Sequence, residues 1–289
     1  MPKIATVVLL FLCLGMNIHA QLRDVHGQTV SGNYIGRQQW EQLFPNRYGV
    51  NTNTSSAAGN TTGDFYSYDA FIEAAAHFPA FTDEGSDTAR KQELAAFLAH
   101  IAQETSGGWA SAPGGYFKWG LYFLEEQGCG NGCPVYSDTT KKLWPPVAGV
   151  SYHGRGPKQL SWNYNYGQFS EAWYGSKDTL LLHPERLTQD PVLAFASAIW
   201  FWMTPQPPKP SCHDVMTGKW LPAARDSAAH RLPGFGTTVN IVNGGVECGM
   251  PHPLDKTIYR YAYYHYFCTF LQVPAGANAD CNSQRPFTE

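Results

Sequence analysis

The stretch from Thr88 to Gly108, TARKQELAAFLAHIAQETSGG, carries the first decision about the fold. Leu94, Phe97, Leu98 and Ile101 recur at spacings of three and four, the period of one helix face, so the segment predicts an amphipathic helix from about Thr88 to Glu104. Gly107 and Gly108 end it. Glu104 continues the apolar stripe, so its carboxyl faces the core or a cleft at the core's edge. Burial there and the negative end of the helix dipole both work against the charged form, as a general acid requires. A last-turn glutamate frayed into solvent fits the same pattern, and periodicity alone does not separate the two readings.

Outward from this helix, Asp69 reads as the cap of a helix over Ala70 to His77, stopped by Pro79. Asp190-Pro191 opens another over Val192 to Met203, VLAFASAIWFWM, apolar nearly all round and so buried on every side. Ile258 to Leu271 is an aromatic-rich helix near the C-terminus. Long alternating strand patterns and internal repeats do not occur. The fold class is mainly α, with long connections rich in the 28 Gly and 20 Pro.

Composition narrows the function. The 289 residues suffice for one large domain or two small ones. With 20 Lys and Arg against 23 Asp and Glu, and no basic run of five or more, nucleic acid is not expected as a partner. Charged residues make up 15%, against roughly a quarter in a typical chain, and aromatics 14%, which excludes disorder and coiled coil. Such a chain suits an uncharged substrate.

Met1 to Ala20 reads as a secretory signal peptide, with Lys3 as its only charge, an apolar core over Ile4 to Leu14 and a cleavage site at Ile18-His19-Ala20. The run is short of the roughly 20 apolar residues that span a bilayer, so no membrane association is expected. Residues 21–34 read as a loose polar leader. Cys13 leaves with the signal, and Cys129, Cys133, Cys212, Cys248, Cys268 and Cys281 remain, an even number for an oxidising compartment. Cys129-Gly-Asn-Gly-Cys133 favours a disulfide over a metal site, because no second pair at metal spacing accompanies it. Asn53 and Asn60 head glycosylation sequons in a loop over Asn51 to Gly63.

Two further segments carry candidate chemistry. Glu125-Glu126 follows a tract dense in aromatics (Trp109, Tyr116, Phe117, Trp119, Tyr122, Phe123), and two carboxyls flanking a groove suffice to cleave a glycosidic bond. By itself an adjacent Glu pair is more often a solvated face. The tract Gly154 to Gly167, GRGPKQLSWNYNYG, crowds Gln159, Ser161, Asn163, Tyr164, Asn165 and Tyr166, whose amides and hydroxyls match sugar hydroxyl and acetamido groups. A polar turn is the alternative reading. The motifs GxSxG, HExxH and GxxxxGK[ST] do not occur.

The sequence resembles the family 19 glycoside hydrolases, the plant-type class I/II chitinases. The match is carried by residues 66–81 (YSYDAFIEAAAHFPAF), 95–123 (AAFLAHIAQETSGGWASAPGGYFKWGLYF), 154–167, 198–220 (AIWFWMTPQPPKPSCHDVMTGKW), 233–249 (PGFGTTVNIVNGGVECG) and 280–287 (DCNSQRPF). It runs from about residue 35 to the end, so residues 35–289 read as a single catalytic domain, with no hevein-like chitin-binding module expected before it. The resemblance implies a two-lobed, lysozyme-like fold with a substrate groove between the lobes.

On the family's motifs the general acid falls on Glu104. The general base falls on Glu126 rather than Glu125, because the spacing of 22 matches. The resemblance implies that Ser161 holds the water and that Gln159, Tyr164 and Asn165 contact the sugar. Trp144, Lys209 and Asn243 fall on groove positions, and Glu247 and Arg260 on the network around the acid. Cys248–Cys281 matches the family's C-terminal bridge, which leaves Cys212–Cys268 by elimination.

The implied activity is that of a secreted, monomeric endochitinase that hydrolyses β-1,4-linked N-acetylglucosamine polymers with inversion. Chitin or chito-oligosaccharides would be its substrates, and neither metal nor cofactor is required. A non-catalytic chitin-binding or wall-organising protein and a peptidoglycan hydrolase are the alternatives. Departures from the family pattern are Gln103 for a His before the acid, Tyr152-His153 for a Tyr pair, and Tyr122 for a Cys.

Overall fold

Eleven α-helices form among the described residues. They are α1 (Val30–Tyr34), α2 (Arg37–Leu43), α3 (Tyr68–Ala75), α4 (Asp87–Glu104), α5 (Asn163–Tyr174) and α6 (Asp178–Leu182), then α7 (Pro191–Met203), α8 (Cys212–Thr217), α9 (Ala224–Ala228), α10 (Phe235–Glu247) and α11 (Asp255–Phe270). The structure, a computed structural model, describes residues 30–50, 63–129 and 132–287. The signal-like segment, Cys13, most of the leader and both sequons lie outside the described residues. Beyond the helices, β pairing among the described residues is limited to isolated bridges.

Side-chain caps start the long helices. Ser86 Oγ accepts from Ala89 N at 3.2 Å and opens α4, and Asp190 Oδ1 accepts from Leu193 N at 2.9 Å to open α7 ahead of Pro191. Each such cap is worth about 1 kcal/mol. The cap of α3 is Ser67, whose Oγ accepts from Ala70 N; Asp69 sits in the first turn and pairs with Arg37 instead. The expected apolar faces are buried: Leu94 through Ala102 on α4, and Leu193 through Trp200 on α7.

Two groups of helices result. Helix α4 packs on α11, α8 and α10, while α5 packs on α6; α7 touches α3, α5 and α8 and so belongs to both. Trp40 of α2 stacks on Phe71 of α3, ring centroids 4.9 Å apart, and meets Phe195 of α7 edge-on. The last part of the leader is not loose. Residues 30–34 form α1, where Ser31 Oγ meets Thr82 Oγ1 at 2.7 Å in the interior.

Helices α5 and α10 escaped the periodicity reading. Asn, Gly and Thr have poor helix propensity, and tertiary burial of Asn163, Tyr166, Phe169, Thr238 and Val239 overrides it.

Cys129–Cys133 and Cys248–Cys281 are bonded as expected. Cys212 and Cys268 are not bonded to each other and remain buried thiols, which corrects the pairing inferred by elimination. An even count does not force pairing, because an interior cysteine packs as a small apolar residue. Cys212 opens α8, whereas Cys268 lies in α11 one turn after its hydrogen-bond partner Tyr264. Burial pushes both thiols up, that of Cys268 to about 11. Among the described residues no helix is long and apolar enough to cross a membrane.

Candidate active site

Helix α4 stops at Glu104 because the next residue is tied in three directions. Thr105 Oγ1 donates to Ile101 O at 2.6 Å and accepts from Leu121 N at 2.8 Å, and its carbonyl accepts from Tyr122 N and Phe123 N at 3.1 and 3.0 Å. Gly107 is required here: a Cβ would lie 2.2 Å from Tyr122 Cδ1. The chain then pairs with a second segment, Gly156 N donating to Leu124 O and Glu126 N to Gly154 O, both at 2.8 Å. The helix end, residues 121–126 and residues 154–160 are thereby joined through their backbones. Glu104, Glu126, Gln159, Ser161, Asn165 and Asn243 line one groove of about 340 Å³ as a result.

Glu104 is 17% exposed, and its Oε1 lies 2.8 Å from Arg260 Nη2. At that distance the guanidinium and the carboxyl form an ion pair. Arg260 is buried and spends its hydrogen bonds elsewhere. Its Nε and Nη2 donate to Glu247 Oε2 and Oε1 at 3.0 and 2.7 Å, and Nη1 donates to His100 Nδ1 at 3.1 Å. Burial holds His100 well below its ordinary pKa, so the neutral ring accepts from Arg260 and donates from Nε2 to Thr238 Oγ1 at 2.9 Å. Burial alone would raise Glu247, but Arg260 and the Asn243 amide, at 2.9 Å, hold its carboxyl below the usual range. The guanidinium thus sets a positive charge directly beside the Glu104 carboxyl. Helix α10 is kinked at Asn243, where the chain turns that side chain into the site.

The two adjacent glutamates divide. Glu126 Oε1 accepts from Tyr136 OH at 2.7 Å, and Oε2 accepts from Gly154 N at 3.2 Å. Burial, reinforced by the Glu126 charge, pushes Tyr136 up to about 12, so its hydroxyl remains a donor. Glu125 turns the other way and is no solvated face: it is buried, with Oε2 3.0 Å from His153 Nε2 and 3.5 Å from Arg155 Nε.

Ser161 Oγ donates to Gln159 O at 3.0 Å, which leaves its lone pairs to accept a hydrogen from water. The flanking backbone is strained, with φ of 51° at Gln159 and 77° at Trp162, each costing on the order of 1–3 kcal/mol. Several amides and hydroxyls of the tract hold the protein rather than a ligand. Asn163 bonds Asp138 and Trp144, Tyr166 OH donates to His153 O at 2.7 Å, and Asn165 Nδ2 donates to Ser161 O at 2.8 Å.

Trp144, Tyr164 and Lys209 are not brought to the carboxylates. They line an adjoining cleft of about 210 Å³, linked to the first by Gln206 Nε2 donating to Asn165 Oδ1 at 3.1 Å. The aromatic tract mostly packs inward: Tyr116 stacks on Tyr259 and Phe117 on Tyr266 of α11. Sequence reasoning missed Tyr136 and His100. No local pattern marks Tyr136, whereas His100 stands one helical turn before Glu104 on the same stripe. Among the described residues no group of three His, Cys, Asp or Glu side chains gathers to hold a metal ion.

Two carboxylates lining one groove with a hydroxyl and amides beside them, on a helical scaffold, are the equipment of a glycoside hydrolase. Residues 35–281 match the profile of glycoside hydrolase family 19, chitinase class I, and the chain belongs to that family. It is 48% identical over 258 residues to endochitinase 2 of Solanum tuberosum, covering 89% of this chain and 76% of that one. It is 47% identical to the endochitinase of Carica papaya, covering 88% and 98%. Chitinase C from Streptomyces griseus superposes with a TM-score of 0.64 at 31% identity, covering 86% and 97%. A class IV chitinase from Zea mays gives 0.61 at 28%, covering 86% and 98%. The expectation of a mainly helical, two-lobed, lysozyme-like fold is met.

Proposed function

We propose that this protein is a secreted endochitinase that cleaves β-1,4 linkages between N-acetylglucosamine units with inversion. The observation that carries the reading is that Glu104, Glu126 and Ser161 line a single groove. Glu104 transfers its proton to the glycosidic oxygen as the C1–O bond breaks. A water, held by Ser161, attacks C1 from the opposite face and gives a proton to Glu126. Glu104 leaves the step ionised beside Arg260, and Glu126 leaves it protonated; exchange with solvent restores both. Trp144, Gln159, Tyr164, Asn165, Lys209 and Asn243 hold the sugar chain, while Glu247 and Arg260 support the acid. Residues 1–20 direct export, and residues 35–289 act as one monomeric catalytic domain.

The test is to incubate the protein with N-acetylglucosamine oligomers and, separately, with peptidoglycan, and to identify the products by mass. Shortened oligomers with intact peptidoglycan are expected. Cleavage of peptidoglycan alone would overturn the substrate, and no cleavage of either would favour a binding protein. Proton NMR in the first minutes should show the α-anomer first; an initial β-anomer would mean a covalent intermediate and retention.

A further inference from the structure

Among the described residues the groove holds one cation with no protein acceptor. Lys158 lines the groove with Glu104 and Glu126, and its Nζ lies over the ring of Phe201, 4.6 Å from the centroid. It occupies a tight turn closed by Gln159 N donating to Gly156 O at 3.0 Å, with Gly156 itself fastened to Leu124 O. Arg260 is spent on Glu247 and His100, and Lys209 donates to Ile241 O at 3.1 Å. A lysine that merely covers apolar surface lets its ammonium reach bulk water. Lys158 is partly buried, and its ammonium lies over an aromatic ring of the groove wall, where it faces the groove.

Resting on the reading that the groove binds an N-acetylated sugar chain, we infer that Lys158 is a substrate-contacting residue whose ammonium donates a hydrogen bond to a neutral sugar oxygen, an acetamido carbonyl or a hydroxyl, beside Glu104. Glu104 and Glu126 already bring carboxyl groups to this groove, so a neutral sugar oxygen can accept from the ammonium without adding a further charge. Burial lowers the Lys158 pKa and the Glu104 carboxylate raises it, which ties the cation electrostatically to the acid's end of the groove.

The experiment measures binding of the N-acetylglucosamine tetramer by calorimetry to the Glu104→Gln protein, with and without Lys158→Met. Loss of a charge-assisted hydrogen bond should weaken binding about 10- to 100-fold. Lys158→Arg, which keeps a donor, should stay within about threefold. With Glu104 intact, Lys158→Met should raise KM more than it lowers kcat. If Lys158→Met lowers the melting temperature, Lys158→Gln replaces it in the same comparison. Unchanged tetramer affinity in the folded variant would overturn the inference alone. Failure of the Glu104→Gln protein itself to bind the tetramer would overturn the functional reading and the inference with it.

Discussion

Arg260 Nη2 stands 2.8 Å from Glu104 Oε1 and 2.7 Å from Glu247 Oε1, so the carboxyl at the end of α4 shares its cation with a fully buried partner. Glu104→Gln keeps the shape of this cluster and removes the transferable proton. We expect hydrolysis to fall about 10²- to 10⁴-fold while oligomer binding persists, measured as kcat and by calorimetry. Arg260→Met leaves two carboxylates without their cation and should cost roughly 3–5 kcal/mol in denaturant unfolding.

Tyr136 holds Glu126 through one hydrogen bond of 2.7 Å from a partly buried position. A hydrogen bond to a charged group is worth about 1.5–3 kcal/mol. Tyr136→Phe should therefore lower kcat by roughly tenfold or more, with little change in melting temperature. An unchanged kcat would remove Tyr136 from the site.

Glu125→Gln separates fold from chemistry. The carboxylate is buried against His153 and Arg155, and its loss should lower the melting temperature. The kcat of the folded fraction should stay within a few-fold, because Glu125 does not line the groove. Glu126→Gln should show the opposite balance. If Glu125 is the more damaging to kcat, the roles are reversed.

His213 gives a pH dependence remote from the groove. Its Nδ1 and Nε2 lie 2.7 Å from Glu93 and 2.6 Å from Glu84. Burial alone would push the imidazole down, but the hydrogen bonds and charges of the two carboxylates outweigh it and hold its pKa above the ordinary value. Below about pH 6.5 the folded and unfolded forms are both protonated and the stabilisation is fully present. As pH rises through the higher folded-state value the proton leaves and that contribution is lost. His213→Asn should therefore destabilise more at pH 5.5 than at pH 8.5, by melting temperature.

Cys212 and Cys268 should appear as two thiols on titration in denaturant and none in native protein, since both are buried. Removing Cys248–Cys281, which spans 33 residues, should cost about 3–4 kcal/mol by the chain-entropy estimate. Absence of thiols after denaturation would restore the third bridge.

Local order determined what the sequence could show by itself. The stripe from Leu94 to Glu104 and the Asp190-Pro191 start of α7 arise within a few residues, where spacing and capping chemistry act directly. The loop closed by Cys129 and Cys133 is equally local. The residues alone left Glu125 and Glu126 equivalent, and the resemblance to family 19 chose between them. Which carboxyl enters the groove is decided by pairing of that segment with residues 154–156, a contact from elsewhere in the chain. The cluster of His100, Arg260, Glu247 and Glu104 likewise joins α4, α10 and α11, and the His100–Arg260 bond spans 160 residues. Separation of Trp144, Tyr164 and Lys209 into their own cleft, and the unpaired state of Cys212 and Cys268, are set the same way. Such contacts depend on how helices stack, and stacking is a property of the whole buried core rather than of any window along the chain.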